Sequence, residues 1–172
     1  MPLTKKNDIT EGNRTMNTNV ANETISYLTF LIDNNVFALP VNQVQNIVEM
    51  SRVSKTHDTH NNIWGFIAQR GTTIPVLDKR MKLGARQNQY TDNTCVVVVQ
   101  IEYNGATFLA GIIVDALQEV SDIKVSDIIY DDKKNDLLGI QKREGKENLH
   151  IIYPEHLFTT EEIELYKHFI PE

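Results

Sequence analysis

The side chains suited to chemistry in this 172-residue chain are few and scattered. His57-Asp58-Thr59-His60 sets two imidazoles and a carboxylate within four positions, donors that transition metals accept. No third, distant ligand accompanies them, and a metal site needs three or more protein donors. The segment reads as an exposed loop. Cys95 lies inside a valine run, where a free thiol behaves as a small buried hydrophobe. A nucleophilic thiolate needs a neighbouring base and an electropositive, partly exposed setting, and the residues around Cys95 offer neither. A single cysteine also excludes an internal disulfide framework and a Cys-rich zinc site. Ser, His and Asp all occur, but without a Gly-x-Ser-x-Gly elbow, a phosphate-cradling glycine loop or His-Glu-x-x-His. The expectation is a protein with no catalytic residues, no metal and no cofactor. Arg70 is the more informative side chain. It ends an apolar run and precedes Gly71, which predicts a turn with an exposed guanidinium, a planar donor fork for carboxylates and amides. The alternative is a local salt bridge to Asp78 or Asp115.

The elements that must carry these groups read as short strands. Ile25–Asp33 and Val36–Leu39 flank Asn34-Asn35, a good tight-turn pair. Pro40 opens a short helix over 41–47, in which Val41, Val44 and Val48 share helical spacing. Gly65–Gln69 and Thr72–Leu77 flank Arg70-Gly71, and Asp78 caps a short helix that Gly84 stops. Thr94–Glu102, with four successive valines, is the clearest strand. Asn104-Gly105 turns it into Thr107–Val114, and Leu117–Val120 continues after a bend. Leu137–Arg143 and Asn148–Tyr153 form another hairpin. Thr160 caps a final helix to Phe169, with Glu161, Glu162 and Glu164 suiting its N-terminal dipole. Eight to ten short strands with little helix predict a mainly β barrel or sandwich.

Composition bounds the rest. Residues 1–24 are rich in Asn, Thr and charge, with apolar residues only singly. They read as a disordered tail, leaving residues 25–172 as one domain. Seventeen basic against 23 acidic residues leave a net charge of −6, the wrong sign for general nucleic-acid binding. No stretch approaches the apolar length of a membrane helix or a secretion signal, which predicts a cytoplasmic protein.

Residues 63–84, "IWGFIAQRGTTIPVLDKRMKLG", resemble the signature of the CheW-like family through Ile63, Gly65, Arg70, Gly71, Ile74, Pro75, Val76, Asp78, Arg80, Leu83 and Gly84. A second block, "GIIVDALQEV" at 111–120, resembles that family's Gly-x-x-Val-Asp pattern. The resemblance spans about residues 25–169. It implies two five-stranded β-barrels around a common core, with a few short helices and a C-terminal helix. It also implies a non-catalytic adaptor that couples chemoreceptor cytoplasmic tips to the regulatory domain of a histidine kinase. Such a protein would be recruited to membrane-associated receptor arrays without entering the membrane. An adaptor of another chemosensory pathway, controlling pili or second messengers, is the nearest alternative. A metal- or thiol-dependent enzyme is the competing class.

The family pattern assigns receptor-facing roles to Arg70, Asn46, Val44 and Gly65, and no residue here is assigned to the kinase. Gly65 and Gly71 read first as turn glycines, with Gly65 beside the receptor groove as the other reading. Val44 reads equally as core or as groove lining. Asn46 stands where relatives often carry Glu, and either faces the receptor or ends the short helix. The sequence departs from the family pattern at His57 and His60, where Pro is usual, and at Lys79, where Leu is usual.

Overall fold

The computed structural model describes residues 23–56, 63–86, 89–130 and 138–166. Their strands are β1 (Thr24–Ile32), β2 (Asn35–Pro40), β3 (Val44–Glu49), β4 (Ser54–Lys55), β5 (Ile63–Gln69), β6 (Thr72–Leu77), β7 (Cys95–Tyr103), β8 (Ala106–Val114), β9 (Ala116–Lys124), β10 (Ile129–Tyr130), β11 (Leu138–Gln141) and β12 (Leu149–Ile152). One sheet has the order β10-β11-β12-β2-β1-β9 and the other β3-β7-β8-β6-β5-β4. Each has five strands of four residues or more plus a two-residue strand at one edge, β10 or β4. The fold is therefore the expected mainly β pair of five-stranded units, each with a short sixth strand. His57, His60 and residues 1–22 lie outside the described residues.

Three apolar clusters explain the arrangement. Val48, Ile67, Ile74, Val76, Val96, Val98 and Ile113 fill the concave side of the second sheet. Tyr27, Val36, Ala38, Ile123, Ile128, Leu149 and Ile151 do the same for the first. A larger cluster, including Phe30, Phe37, Leu39, Val97, Val99, Ile101, Phe108, Ile112 and Val114, joins the two sheets. The valine run of β7 shows the logic. Val96 and Val98 point into one cluster and Val97, Val99 and Ile101 into the other. With side chains alternating across a strand buried on both faces, the sequence must be apolar without interruption. Gly111 of β8 is required by the same crowding: a Cβ there would lie 2.6 Å from Val96 Cγ1.

Several local expectations change. Residues 41–47 are not a helix: Val41–Gln43 make one 3₁₀ turn, and β3 then pairs with β7. The shared valines and isoleucine satisfy either period, and the exposed backbone edge of β7 decides in favour of a strand. The β1–β2 turn is Asp33-Asn34, both at positive φ, one residue earlier than expected. Residues 80–84 make a single hydrogen-bonded turn rather than a helix. Asp78 Oδ1 still accepts from Arg80 N at its start, as a cap does, and Leu83 N donates to the Lys79 carbonyl at 3.1 Å. The last helix, α1 (Thr160–Tyr166), is capped by Thr159, not Thr160. Thr159 Oγ1 accepts from Glu162 N at 3.1 Å, and Glu162 Oε1 accepts from Thr159 N at 2.9 Å, a reciprocal capping box. The far end of the expected helix lies outside the described residues. Ile163 packs α1 onto the shared core, and Glu162 holds Lys79 Nζ at 2.7 Å in a buried ion pair.

Candidate functional site

Two sheet edges face each other across an open groove of about 700 Å³. β3 is the free edge of one sheet and β9 of the other. Ile47, Glu49 and Met50 line one side, Ala116 and Leu117 the other, and the segment Thr91–Cys95 closes the end between them. Ile47 and Leu117 are exposed by 39% and 37%, and Val120 further along β9 by 59%. Apolar side chains left in water along two facing edges suit an apolar partner surface. Cys95 contributes to the wall, where burial pushes its thiol pKa up. It is thus a neutral thiol, only partly buried where its valine-rich setting predicts full burial.

Behind the groove lies a buried guanidinium. Arg80 is fully inaccessible to solvent. Its Nε and NH2 donate to the two carboxylate oxygens of Asp78 at 2.9 and 2.7 Å. Its NH1 donates to Asp115 Oδ1 at 2.7 Å and to the Gln89 carbonyl at 2.8 Å. Burial works against the charge, but hydrogen bonds to Asp78 and then Asp115 outweigh it and raise the Arg80 pKa. Asp115 Oδ2 in turn accepts from the backbone N of Asp33 at 2.7 Å, tying the β1–β2 turn to the same cluster.

The expected receptor-facing residues divide into two groups. Arg70 and Gly71 form the β5–β6 turn at φ +52° and +78°, and Arg70 is exposed. Among the described residues its side chain has no partner, and Asp78 and Asp115 bind Arg80 instead, so the local salt bridge is not made. Asn46 lies on β3, and its amide exchanges hydrogen bonds with Gln69, beside Arg70, at 3.3 and 3.4 Å. It is not a helix terminus. Val48 and Ile67, two residues from each member of this pair, enter the concave cluster, so the two amides close its end across a sheet that curls on itself. Val44 packs, half-buried, against the shared core. Gly65 is buried at the other end of β5, where a Cβ would lie 2.5 Å from the Ser54 carbonyl oxygen. Its role is close approach of β4, not turn freedom.

The family model of the CheW-like domain matches residues 26–162, the whole two-sheet body. The chain belongs to the CheW-like family. It is similar to the chemotaxis protein CheW of Helicobacter pylori, 26% identical over 129 residues, 72% of this chain and 76% of that protein. The CheW of Klebsiella aerogenes is 28% identical over 111 residues, covering 63% of this chain and 64% of the relative, just under two thirds of its length. The crystal structure of the scaffolding protein TtCheW from Thermoanaerobacter tengcongensis superposes with a TM-score of 0.67 at 26% identity. That match covers 80% of this chain and 94% of TtCheW.

For a CheW-like chain, the sequence reading of the site was incomplete. The sequence places Ile47 in a short helix and Leu117 in a strand and gives Met50 no role, because their exposure depends on which strands end up at sheet edges. Among the described residues no cluster of three or more His, Cys, Asp or Glu is placed to hold a metal. No helix there is long and apolar enough to cross a membrane.

Proposed function

We propose that this protein is a non-catalytic scaffold coupling chemoreceptor cytoplasmic tips to a sensor histidine kinase in bacterial chemotaxis. The observation that carries the reading is the open groove between the edges of β3 and β9, with Ile47 and Leu117 exposed on its two sides, in a chain of the CheW-like family. A receptor helix would lay its apolar face between Ile47 and Leu117, the helix-in-groove mode of recognition. Arg70 would meet acidic or amide groups of that helix with its donor fork, and Asn46 would flank it. The kinase regulatory domain would take a separate apolar surface. The protein would act in the cytoplasm, held at membrane-associated receptor arrays by these contacts alone. Its similarity to TtCheW, itself described as a scaffolding protein, supports the reading.

The test is binding of the isolated receptor tip and of the isolated kinase regulatory domain. Both should bind saturably, at separate sites and without nucleotide. A requirement for ATP or phosphorylation would overturn simple scaffolding. Stoichiometric zinc binding in a calorimetric titration would instead favour a metal-dependent activity.

A further inference from the structure

Arg80 holds the end wall of the groove and its Ala116–Leu117 side without lining it. Its NH1 reaches the carbonyl of Gln89, two residues before the Thr91–Cys95 end wall. The same NH1 binds Asp115, the residue before Ala116 and Leu117. Asp78, at the end of β6, holds the other edge of the guanidinium through Nε and NH2, so the plane of the fork is set from the rigid sheet. One buried cation thus fixes two chain segments that come from different parts of the sequence. A lysine ammonium, a point charge with no planar fork, does not meet these three partners in one plane.

We propose that Arg80 is the positioning residue of the groove: it sets the separation of the 89–95 and 115–117 walls, and so the affinity for a partner helix it never touches. The inference rests on reading the groove as the receptor site, but its structural half can be read independently. Trp64 is the only tryptophan, and Tyr90, next to Gln89, packs edge-on against it with ring centroids 5.8 Å apart. Tryptophan emission therefore reports whether the 89–95 wall is in place.

The experiment compares wild type with Arg80→Lys, using a chemoreceptor cytoplasmic-tip fragment as probe. Arg80→Lys should stay folded by far-UV circular dichroism, shift Trp64 emission to the red, and bind about tenfold more weakly, a change of about 1.4 kcal/mol. Amide hydrogen exchange should speed up at residues 91–94 and 116–118 and stay unchanged at residues 96–103 of β7. Arg70→Glu serves as the contrast, losing affinity with no change in emission. If Arg80→Lys fails to fold, Asp115→Asn makes the same test: it leaves one acceptor for both Arg80 NH1 and Asp33 N, and should speed exchange at 115–117 and in the β1–β2 turn but not at 91–94. A folded Arg80→Lys with wild-type emission, exchange and affinity overturns the proposal. If wild type itself does not bind the tip, the receptor reading falls, and the emission and exchange results alone decide whether Arg80 positions the walls.

Discussion

Arg70 and Asn46 stand on the same corner for different reasons. Arg70 is free of local partners among the described residues, so its charge is available to a partner. Arg70→Glu should weaken receptor binding by about 2–4 kcal/mol if the contact is a desolvated, charge-assisted pair. The fold should persist, since a turn-exposed arginine adds little to the core. Titration of the receptor tip against both proteins checks this, and unchanged affinity would remove Arg70 from the site. Asn46 is different, because it already satisfies its amide through Gln69. Replacing it by Glu keeps an acceptor for Gln69 Nε2 and adds a charge beside Arg70, on the face of β3 opposite Ile47. Asn46→Glu should therefore steepen the salt dependence of receptor binding, since screening acts on charges. Affinities at low and high salt that change in parallel for the two proteins would show that position 46 does not face the receptor.

At the scale of elements, α1 and β12 carry the sharper consequences. Lys79 and Glu162 form their ion pair with both side chains about nine-tenths buried, and Lys79 also lies 5.5 Å from the centre of the Phe158 ring. Lys79→Ala should destabilise the protein by about 3–5 kcal/mol, because it leaves a carboxylate buried without its cation. The double variant Lys79→Leu/Glu162→Gln should recover most of that loss, since Gln preserves the capping box and Leu fills the site with apolar volume. Urea unfolding of the three proteins decides it, and a double variant as weak as Lys79→Ala would show that the pair is not what holds α1. His150 on β12 stacks on Phe37, with ring centroids 5.2 Å apart. Burial lowers its pKa, with the charge of Glu147 acting the other way. The unfolded chain then binds the proton more readily than the folded one. His150 accordingly contributes stability that is complete above about pH 6.5 and is lost as the pH falls from there through the folded-state value. His150→Gln should flatten the fall in unfolding free energy on the acid side. An unchanged slope would assign that sensitivity to another group.

For the whole molecule, the question is where the cooperative unit begins. β1 starts at Thr24, and the Glu23 carbonyl accepts from Val125 N at 2.9 Å, which closes the first sheet onto the turn after β9. The polar composition of the residues before it offers little apolar area to bury. Deleting residues 1–20 should thus move the thermal midpoint by no more than about 2 °C, equivalent to about 0.5 kcal/mol for a chain of this size. A scan showing a drop of about 10 °C would place those residues in the packed body.

Sequence alone determined the strand-rich class, most of the hairpins and the family, because these rest on short-range signals. The Asn104-Gly105 turn, the Arg70-Gly71 turn and the valine run each need only their neighbours in the chain to be read. The 41–47 segment was misread for the opposite reason: β-branched residues there fit both periods, and only the edge of β7, some fifty residues away, selects the strand. The site was legible to the same extent. Arg70 and Asn46 could be named from the family pattern, and Arg70's exposure from its turn. Gly65's role was not legible, since the atom it avoids belongs to Ser54 on another strand. Ile47 and Leu117 could not be told from core residues, because exposure is a property of which strands form the edges. Arg80 offered still less. A charged side chain in a polar segment reads as surface, and it is buried only because Asp78, Asp115 and the Gln89 carbonyl converge on it, replacing in the fold the hydration that the charge would otherwise need.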